Sequence, residues 1–220
     1  MGRLAPVLML CLAPFAAAAA GAGVTVGDFA ASGLDGWKTR EFDGSTEWTV
    51  VEEDGRRVVR ALAEDSASAL YREVDIDPAQ TPYLQWSWKV SALPSGEASE
   101  RTKAGDDYGA RIYVVREGFF GKLTAQALNF VWSRREPVGA QWPNAFTGRA
   151  LMEVVDSGTA GVGRWVAHTV DIRRAWREAF GDDVEHIDGV AIMTDTDNTD
   201  STATAFYGDI RFLSDDPGGD

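Results

Sequence analysis

The chain has 220 residues, of which 45% are apolar and 25% charged, with 34 acidic against 21 basic side chains. This apolar content excludes a disordered chain, and 23 Gly with only 8 Pro and no repeating period excludes collagen-like sequence. The formal net charge of -13 argues against a general binder of nucleic acid or anionic membranes, because both need a cationic protein surface.

Residues 1–22 have the pattern of a secretory signal peptide. Arg3 supplies the positive charge, an apolar run follows, and small residues precede the expected cleavage after Ala20 or Ala22. The apolar run is shorter than the roughly 20 residues that a membrane-spanning helix requires. We therefore expect an exported protein, periplasmic or secreted, with no membrane span in the mature chain. Cys11 is the only cysteine, so the mature chain would have no disulfide and no thiolate metal ligand.

After the signal peptide, short apolar or alternating runs are separated by turn residues, which predicts an all-β antiparallel sandwich. Asp54-Gly55 favours the positive φ values of a tight hairpin turn. We expect one domain over residues 23–213 and a disordered tail over residues 214–220. The predicted strands are Trp48 to Val51, Arg57 to Leu62, Ala69 to Val74, Tyr83 to Val90, Ala110 to Val115, Ala127 to Ser133, Leu151 to Val155, Trp165 to Val170, Gly189 to Met193 and Thr202 to Phe212.

One short helix is predicted near residues 172–180. Asp171 is suited to cap its first turn, apolar residues recur at helical spacing on one face, and Gly181 follows where helices commonly end.

Alternation along the strand Tyr83 to Val90 places Leu84, Trp86, Trp88 and Val90 on one face, which we expect to face the core. The opposite side would then carry polar side chains from three strands. These are Lys89, Arg111, Tyr113 and Asn129. Two cations in such a group favour an anionic ligand, such as a uronate or a phosphate. The alternative is the ordinary solvated face of a half-exposed sheet.

Asp106 and Asp107 precede the strand that carries Arg111, so a carboxylate and a guanidinium are expected close together. They would accept hydrogen bonds from sugar hydroxyls or act as acid and base. A turn-forming aspartate with a weak surface ion pair explains the same residues.

Trp142 lies between two prolines in what we interpret as a loop, where its ring would form an exposed platform for a sugar. Packing over the end of the core is the alternative for so large a side chain. The acidic run from Asp195 to Asp200 would bind calcium or, as we prefer, form Asx turns that close a hairpin.

Four stretches carry a resemblance to a known family: Gly105 to Val114, Ala127 to Ser133, Met193 to Thr199 and Tyr207 to Phe212. They resemble the exported bacterial domain-of-unknown-function family 3047, and the similarity runs from about Gly27 to Phe212. That family implies no particular activity.

A second resemblance concerns the two ends of the domain. Asp28-Phe29 with Gly36-Trp37, and Tyr207 to Ile210, resemble the first and last strands of jelly-roll carbohydrate-binding modules. Ordinary turn and surface acids are the alternative explanation of the two aspartates in these stretches. This resemblance implies a jelly-roll-like, galactose-binding-like sandwich and a structural calcium ion, with Asp28 and Asp209 as its carboxylate ligands. Calcium takes six or more oxygen ligands, so backbone carbonyls would have to complete the site.

Together these features predict a non-catalytic saccharide-binding protein whose partner is a cell-envelope or extracellular polysaccharide. Lys89, Arg111, Tyr113 and Asn129 would orient the ligand. Two other classes stay open: a glycan hydrolase or lyase that uses Asp106 or Asp107 with Arg111, and an envelope protein-interaction module. His168 and His186 lack the spacing of zinc ligands, and the sequence contains no nucleophile elbow.

Overall fold

The computed structural model describes residues 23–116 and 125–218. The predicted signal peptide and the last two residues of the predicted tail lie outside these ranges. Within them, no helix has both the length and the apolar character needed to cross a membrane.

The described chain folds into two seven-stranded sheets. The first sheet has the order β1 (Gly23–Gly27), β14 (Ile210–Leu213), β6 (Tyr83–Ala92), β13 (Thr202–Tyr207), β4 (Arg56–Glu64) and β3 (Glu47–Glu53), with β11 (Val166–Asp171) also paired to β6. The second sheet has the order β2 (Lys38–Asp43), β5 (Ala67–Ile76), β12 (Ile187–Asp195), β7 (Ala110–Arg116), β8 (Gln126–Ser133), β10 (Ala150–Ser157) and β9 (Gln141–Pro143). Strands β8 and β10 are parallel. The predicted all-β, jelly-roll-like sandwich is confirmed.

The main core lies between the sheets and follows the predicted alternation. Leu84, Trp86, Trp88 and Val90 of β6 are all buried in it. Trp86 stacks on Phe130 of the second sheet with ring centroids 5.5 Å apart. Such aromatic pairs add to the stability that burial of their large apolar surface provides.

The predicted short helix is present as α2 (Ile172–Phe180). The Asp171 carboxylate accepts a hydrogen bond from the Arg174 backbone N–H, and Gly181 ends the helix with a left-handed φ of 79°. Ile172 and Trp176 are buried in the main core. A first helix of one turn, α1 (Phe29–Ser32), was not predicted, because four residues are too few to show helical periodicity.

The hairpin turn between β3 and β4 matches its prediction. Asp54 and Gly55 have φ values of 51° and 73°, the left-handed values that a tight hairpin requires. The long strand expected over residues 202–212 is instead two strands, β13 and β14. Both pair with β6, and Gly208 and Asp209 separate the two strands.

The expected polar face on three strands is wrong. Lys89 lies on β6 in the first sheet, whereas Arg111, Tyr113 and Asn129 lie on β7 and β8 in the second sheet. Alternation determines which residues of a strand share a face, but it does not determine which sheet the strand joins.

The interpretation of Asp195 to Asp200 as a hairpin turn is also wrong. The strands on either side, β12 and β13, belong to different sheets. This acidic segment therefore crosses from one sheet to the other.

Candidate functional site

The outer face of the second sheet contains a cavity of about 580 Å³, which we call the first cavity. Much of its floor is a small apolar cluster that is separate from the main core. The cluster consists of Ala67, Ala69, Tyr71, Tyr113, Val115, Ala191 and Met193. Four members of this cluster, Ala67, Tyr113, Val115 and Met193, line the cavity together with Ala125, Ala127 and Ala150. Four of these seven lining residues are alanines, whose short side chains let a flat ligand approach the sheet closely.

Two exposed phenylalanines border this cavity. Phe42 is 53% exposed and Phe146 57% exposed, and both line the first cavity. They are two of the four large apolar side chains that are exposed in residues 23–116 and 125–218. Cations lie over both rings: the Arg40 guanidinium is 5.1 Å from the Phe42 centroid, and the Lys103 ammonium is 5.1 Å from the Phe146 centroid. Exposed rings at the edge of a cavity are suited to contact the apolar face of a ring-shaped ligand.

Arg111 is the central polar residue of the cavity. Its Nη2 donates to the Asp195 carboxylate at 2.6 Å and to the Asp106 backbone carbonyl at 3.3 Å. The guanidinium carbon lies 4.5 Å from the centroid of the Tyr108 ring. Its Nε is buried and has no hydrogen-bond partner in the described structure. A buried donor without a partner carries a desolvation cost that the neighbouring hydrogen bonds of the guanidinium have to offset.

Asp106 also lines the cavity, and both of its oxygens accept hydrogen bonds. Tyr108 Oη donates to Oδ1 at 3.1 Å, and Asn144 Nδ2 donates to Oδ2 at 2.8 Å. Burial raises the pKa of this carboxyl, and Arg111 offsets part of the effect.

Asp195 and Asp197 were predicted to form Asx turns or to bind calcium, and both line the cavity. Burial raises the pKa of Asp195 well above its usual value, against the opposing effect of Arg111. Burial and the neighbouring Asp107 raise the pKa of Asp197 to about 6. Carboxylate oxygens of these three residues lie within 4.8 Å of one another, which places like charges close together.

Neutral and cationic groups complete the polar lining. Asn129 is buried and donates to the Leu151 carbonyl at 3.1 Å. Gln126, Asn144 and Arg149 also line the cavity. Arg149 is exposed and forms no ion pair with another described residue.

Of the seven ligand-binding residues predicted from the sequence, four line the first cavity. These are Asp106, Arg111, Tyr113 and Asn129. Asp107 is fully buried, and its carboxylate accepts from Thr199 Oγ1 at 2.6 Å and from the Asn198 backbone N–H at 3.3 Å. It therefore has a structural role at the acidic crossing segment.

Lys89 and Trp142 are placed differently from their predictions. On the other sheet, Lys89 pairs with Glu53 and with Asp54 at 2.7 Å. Trp142 is only 5% exposed and lies in β9, where it packs with Val131, Met152 and Val154. The expected exposed platform is wrong, because Trp142 lies in a short edge strand that ends at Pro143 and its indole packs on the sheet.

The residues expected to bind calcium do not fit that ion. Asp28 caps α1 by accepting from the Ala31 backbone N–H at 2.9 Å. Asp209 accepts from the Phe29 and Ala30 backbone N–H groups and from Arg211 at 3.3 Å. Both carboxylates thus contact hydrogen-bond donors, whereas calcium needs a shell of six or more oxygen ligands.

The most exposed residues of the cavity were missed by sequence reasoning. Phe42 lies in β2, where it is the only apolar residue among charged and polar ones, so the strand shows no apolar alternation. Phe146 and Arg149 lie in a turn-rich segment without periodicity. The acidic run at Asp195 and Asp197 was the one available signal.

Several solved structures are similar to this chain. The glycoside hydrolase domain of Endo-D from Streptococcus pneumoniae has 8% identity and a TM-score of 0.43, over 81% of this chain and 22% of that one. This chain therefore spans about a fifth of the length of the Endo-D chain. A family 30 carbohydrate-binding module from Clostridium thermocellum has 11% identity and a TM-score of 0.47, over 82% of this chain and 92% of that one. A xylan-binding domain from Paenibacillus barcinonensis has 14% identity and a TM-score of 0.43, over 91% and 99% of the two chains.

No curated protein matches the chain. A family model described as "Protein of unknown function (DUF3047)" matches residues 35–211, which is most of the sequence. The family resemblance carried by the four sequence stretches is confirmed, and the chain belongs to the DUF3047 family.

Proposed function

We propose that the protein is an exported, non-catalytic saccharide-binding protein and that its ligand lies in the first cavity. One observation carries the proposal. Two exposed phenylalanines, Phe42 and Phe146, border the same cavity that the polar residues Asp106, Arg111 and Asn129 line. Aromatic edges beside convergent polar groups are what a saccharide site requires.

A sugar ring offers apolar C–H faces and hydroxyl groups around its edge. In this proposal, the phenylalanine rings contact the faces, and the alanine-rich floor lets the ring lie close to the sheet. The amides of Asn144 and Gln126 donate to hydroxyl oxygens. The carboxylates of Asp195 and Asp197 accept from hydroxyl hydrogens.

The charges of the lining favour a neutral saccharide. Four aspartates and three arginines line the cavity. Arg111 is already paired with Asp195 at 2.6 Å, so its charge is compensated inside the protein. Repulsion from the remaining carboxylates would weaken binding of an anionic group here.

Two arguments support the export and the absence of catalysis. The N-terminal pattern is that of a signal peptide, which directs export. Asp106, Asp107 and Asp195 each accept hydrogen bonds from internal donors, a situation that suits a rigid binding surface better than a nucleophile.

A second candidate function is glycan cleavage. The observation that favours it is Asp197, which lines the cavity and has a pKa raised to about 6, a value suited to a general acid. The sequence suggested Asp106 or Asp107 with Arg111 as the groups for such a reaction. Retaining glycosidases use two carboxyl groups about 5–5.5 Å apart. Carboxylate oxygens of Asp195 and Asp197 lie within 4.8 Å of each other, so Asp195 is the second carboxyl group beside Asp197.

Affinity electrophoresis tests both candidates. Purified protein without residues 1–22 is run through gels that contain neutral or acidic polysaccharides, and each polysaccharide is checked in parallel for shortened products. Retardation in a neutral-polysaccharide gel without shortened products supports binding alone. Retardation with shortened products overturns the non-catalytic part. Mobility unchanged in every gel overturns the saccharide proposal and favours a protein partner in the envelope.

A further inference from the structure

A second cavity, of about 540 Å³, lies on the outer face of the first sheet. It is on the opposite side of the sandwich from the first cavity, since the two sheets pack through their inner faces. Its lining comes from four strands of the first sheet and from two connecting segments. The residues are Arg56, Val58, Gln85, Trp86, Ser87, Trp165, Val166, Ala167, Gly208, Asp209 and Arg211.

Three polar side chains of this cavity have no hydrogen-bond partner among residues 23–116 and 125–218. Gln85 and Ser87 project outward from β6, and neither side chain forms a hydrogen bond within the described structure. Arg56 at the start of β4 forms no hydrogen bond and no ion pair within 4 Å there, and its charge interacts with the Asp54 carboxylate. Convergent polar groups without internal partners are what a binding site leaves for its ligand.

The Arg56 guanidinium is nevertheless held in a defined position. Its central carbon lies 5.1 Å from the centroid of the Trp165 ring. The Trp165 indole is fixed in turn, because its Nε1 donates to the Asp54 carboxylate at 3.1 Å. A guanidinium stacked on an indole keeps its N–H donors directed outward and loses little conformational freedom when it binds a ligand.

Arg211 supplies the second cation of the cavity. The nearby carboxylate of Asp209 already accepts hydrogen bonds from within the protein. Asp209 accepts from Arg211 at 3.3 Å, but it also accepts from two backbone N–H groups of α1. Lys89 lies on the same outer face and is compensated by Glu53 and Asp54. The second cavity therefore has two guanidinium groups beside two carboxylates, Asp209 and Asp54, and both carboxylates already accept from other donors.

We propose that the second cavity binds the carboxylate of an acidic saccharide, such as a uronate residue. Arg56 and Arg211 hold the carboxylate, since a guanidinium offers paired donors that match its two oxygens. Gln85 and Ser87 take neighbouring hydroxyls. A cavity of about 540 Å³ has the size of an ordinary small-ligand site. This site is independent of the first cavity and would allow the protein to bridge two polysaccharide chains.

The test uses purified protein without residues 1–22 and three probes: trigalacturonate, neutral galactotriose and inorganic sulfate. Affinities are measured by calorimetry at low and at physiological ionic strength. The parent is compared with an Arg56→Gln/Arg211→Gln double variant. The matched control is Arg173→Gln, because Arg173 is an exposed arginine of α2 outside the cavity. A Phe42→Ala/Phe146→Ala variant separates this site from the first cavity.

We expect trigalacturonate to bind the parent and the two control variants alike, and to bind the double arginine variant about tenfold or more weakly. Affinity should fall with added salt, since the contacts are ionic and accessible to solvent. Trigalacturonate affinity that survives the double substitution, or no binding by the parent, overturns the proposal. Sulfate binding as tight as trigalacturonate binding overturns its saccharide part. Loss of binding in the phenylalanine variant alone would assign the acidic ligand to the first cavity instead.

Each variant is checked for its melting temperature. Both substituted arginines are exposed, so we expect the double variant to fold. If it does not, single Arg56→Gln and Arg211→Gln variants carry the same comparison.

Discussion

Arg111 Nη2 and Asp195 Oδ2 lie 2.6 Å apart on the outer face of the second sheet, and their side chains are only 7% and 3% exposed. Arg111 lies on β7 and Asp195 at the end of β12, the strand paired with it. Asp195 also accepts from the Tyr108 backbone N–H at 3.2 Å. This ion pair therefore joins two neighbouring strands at the point where the acidic segment from Asp195 to Asp200 leaves the sheet. Both residues line the first cavity.

Replacing Arg111 should destabilise the protein strongly. Arg111→Met would leave Asp195 buried without its counter-charge, which costs about 3–5 kcal/mol in comparable buried pairs. The loss should be smaller at pH 5 than at pH 8, because a buried Asp195 without its partner is relieved by taking up a proton. Urea unfolding measures both. Arg149→Met is the control, since Arg149 lines the same cavity but is exposed; its effect should stay within about 0.5 kcal/mol.

The two exposed phenylalanines should matter for binding and little for stability. Phe42→Ala/Phe146→Ala should weaken saccharide binding by about tenfold or more, because aromatic contacts of this kind contribute of order 1 kcal/mol each. Its melting temperature should stay close to that of the parent. Val138→Ala is the control, since Val138 is also an exposed apolar residue but lies outside the cavity lining. Unchanged retardation of the double variant in affinity gels would contradict this assignment.

Asp197 should make stability depend on pH. Its pKa is raised to about 6 from 3.8, so the folded protein binds its proton more tightly than the unfolded chain does. The contribution of this group is therefore favourable at low pH and is lost as the pH rises from about 4 to about 6. Asp197→Asn removes the ionisation. The variant should be more stable than the parent at pH 7, and the difference should disappear near pH 4. An equal difference in unfolding free energy at both pH values would contradict the raised pKa.

Lys89 should be irrelevant to the first cavity. Lys89 lies on the first sheet and pairs with Glu53 and Asp54. Lys89→Ala should therefore leave binding of a neutral polysaccharide unchanged. It should reduce stability, because Lys89 is buried and neutralises two carboxylates. Affinity gels and thermal unfolding measure the two effects. A loss of neutral-saccharide affinity comparable to that of the phenylalanine variant would mean that the ligand contacts both sheets.

Gly208 lies close to the Ser87 side chain. A Cβ atom at this position would lie 2.3 Å from Ser87 Oγ, while the Gly208 N–H donates to the Ser87 carbonyl at 2.8 Å. Gly208→Ala should destabilise the protein by about 1–3 kcal/mol, as overpacking does. Ser87→Ala/Gly208→Ala removes the clashing oxygen and should recover most of that loss. A double variant as unstable as Gly208→Ala alone would show that the Ser87 hydroxyl is not the group with which the new methyl clashes.

The sequence predicted helices and strands well where a segment had both a regular spacing of apolar residues and residues typical of its ends. Alternation at Leu84, Trp86 and Trp88 predicted the buried face of β6, and Asp171 and Gly181 predicted both ends of α2. The site was predicted only in part. Arg111 and Asn129 were placed on an outer polar face, but Phe42 was missed because its strand is short of apolar residues.

The sequence alone determined the all-β class, the faces of individual strands, the helix with its caps and the membership of the family, because these depend on local periodicity, turn chemistry and motif. Only the tertiary structure decided that Lys89 and Arg111 lie on opposite sheets, that Trp142 is buried and that Phe42, Phe146 and Arg111 meet at one cavity. Strand pairing and loop packing bring together residues that are far apart in the chain. The two-residue alternation within a strand shows which side chains share a face, but it does not show which other strand lies beside it.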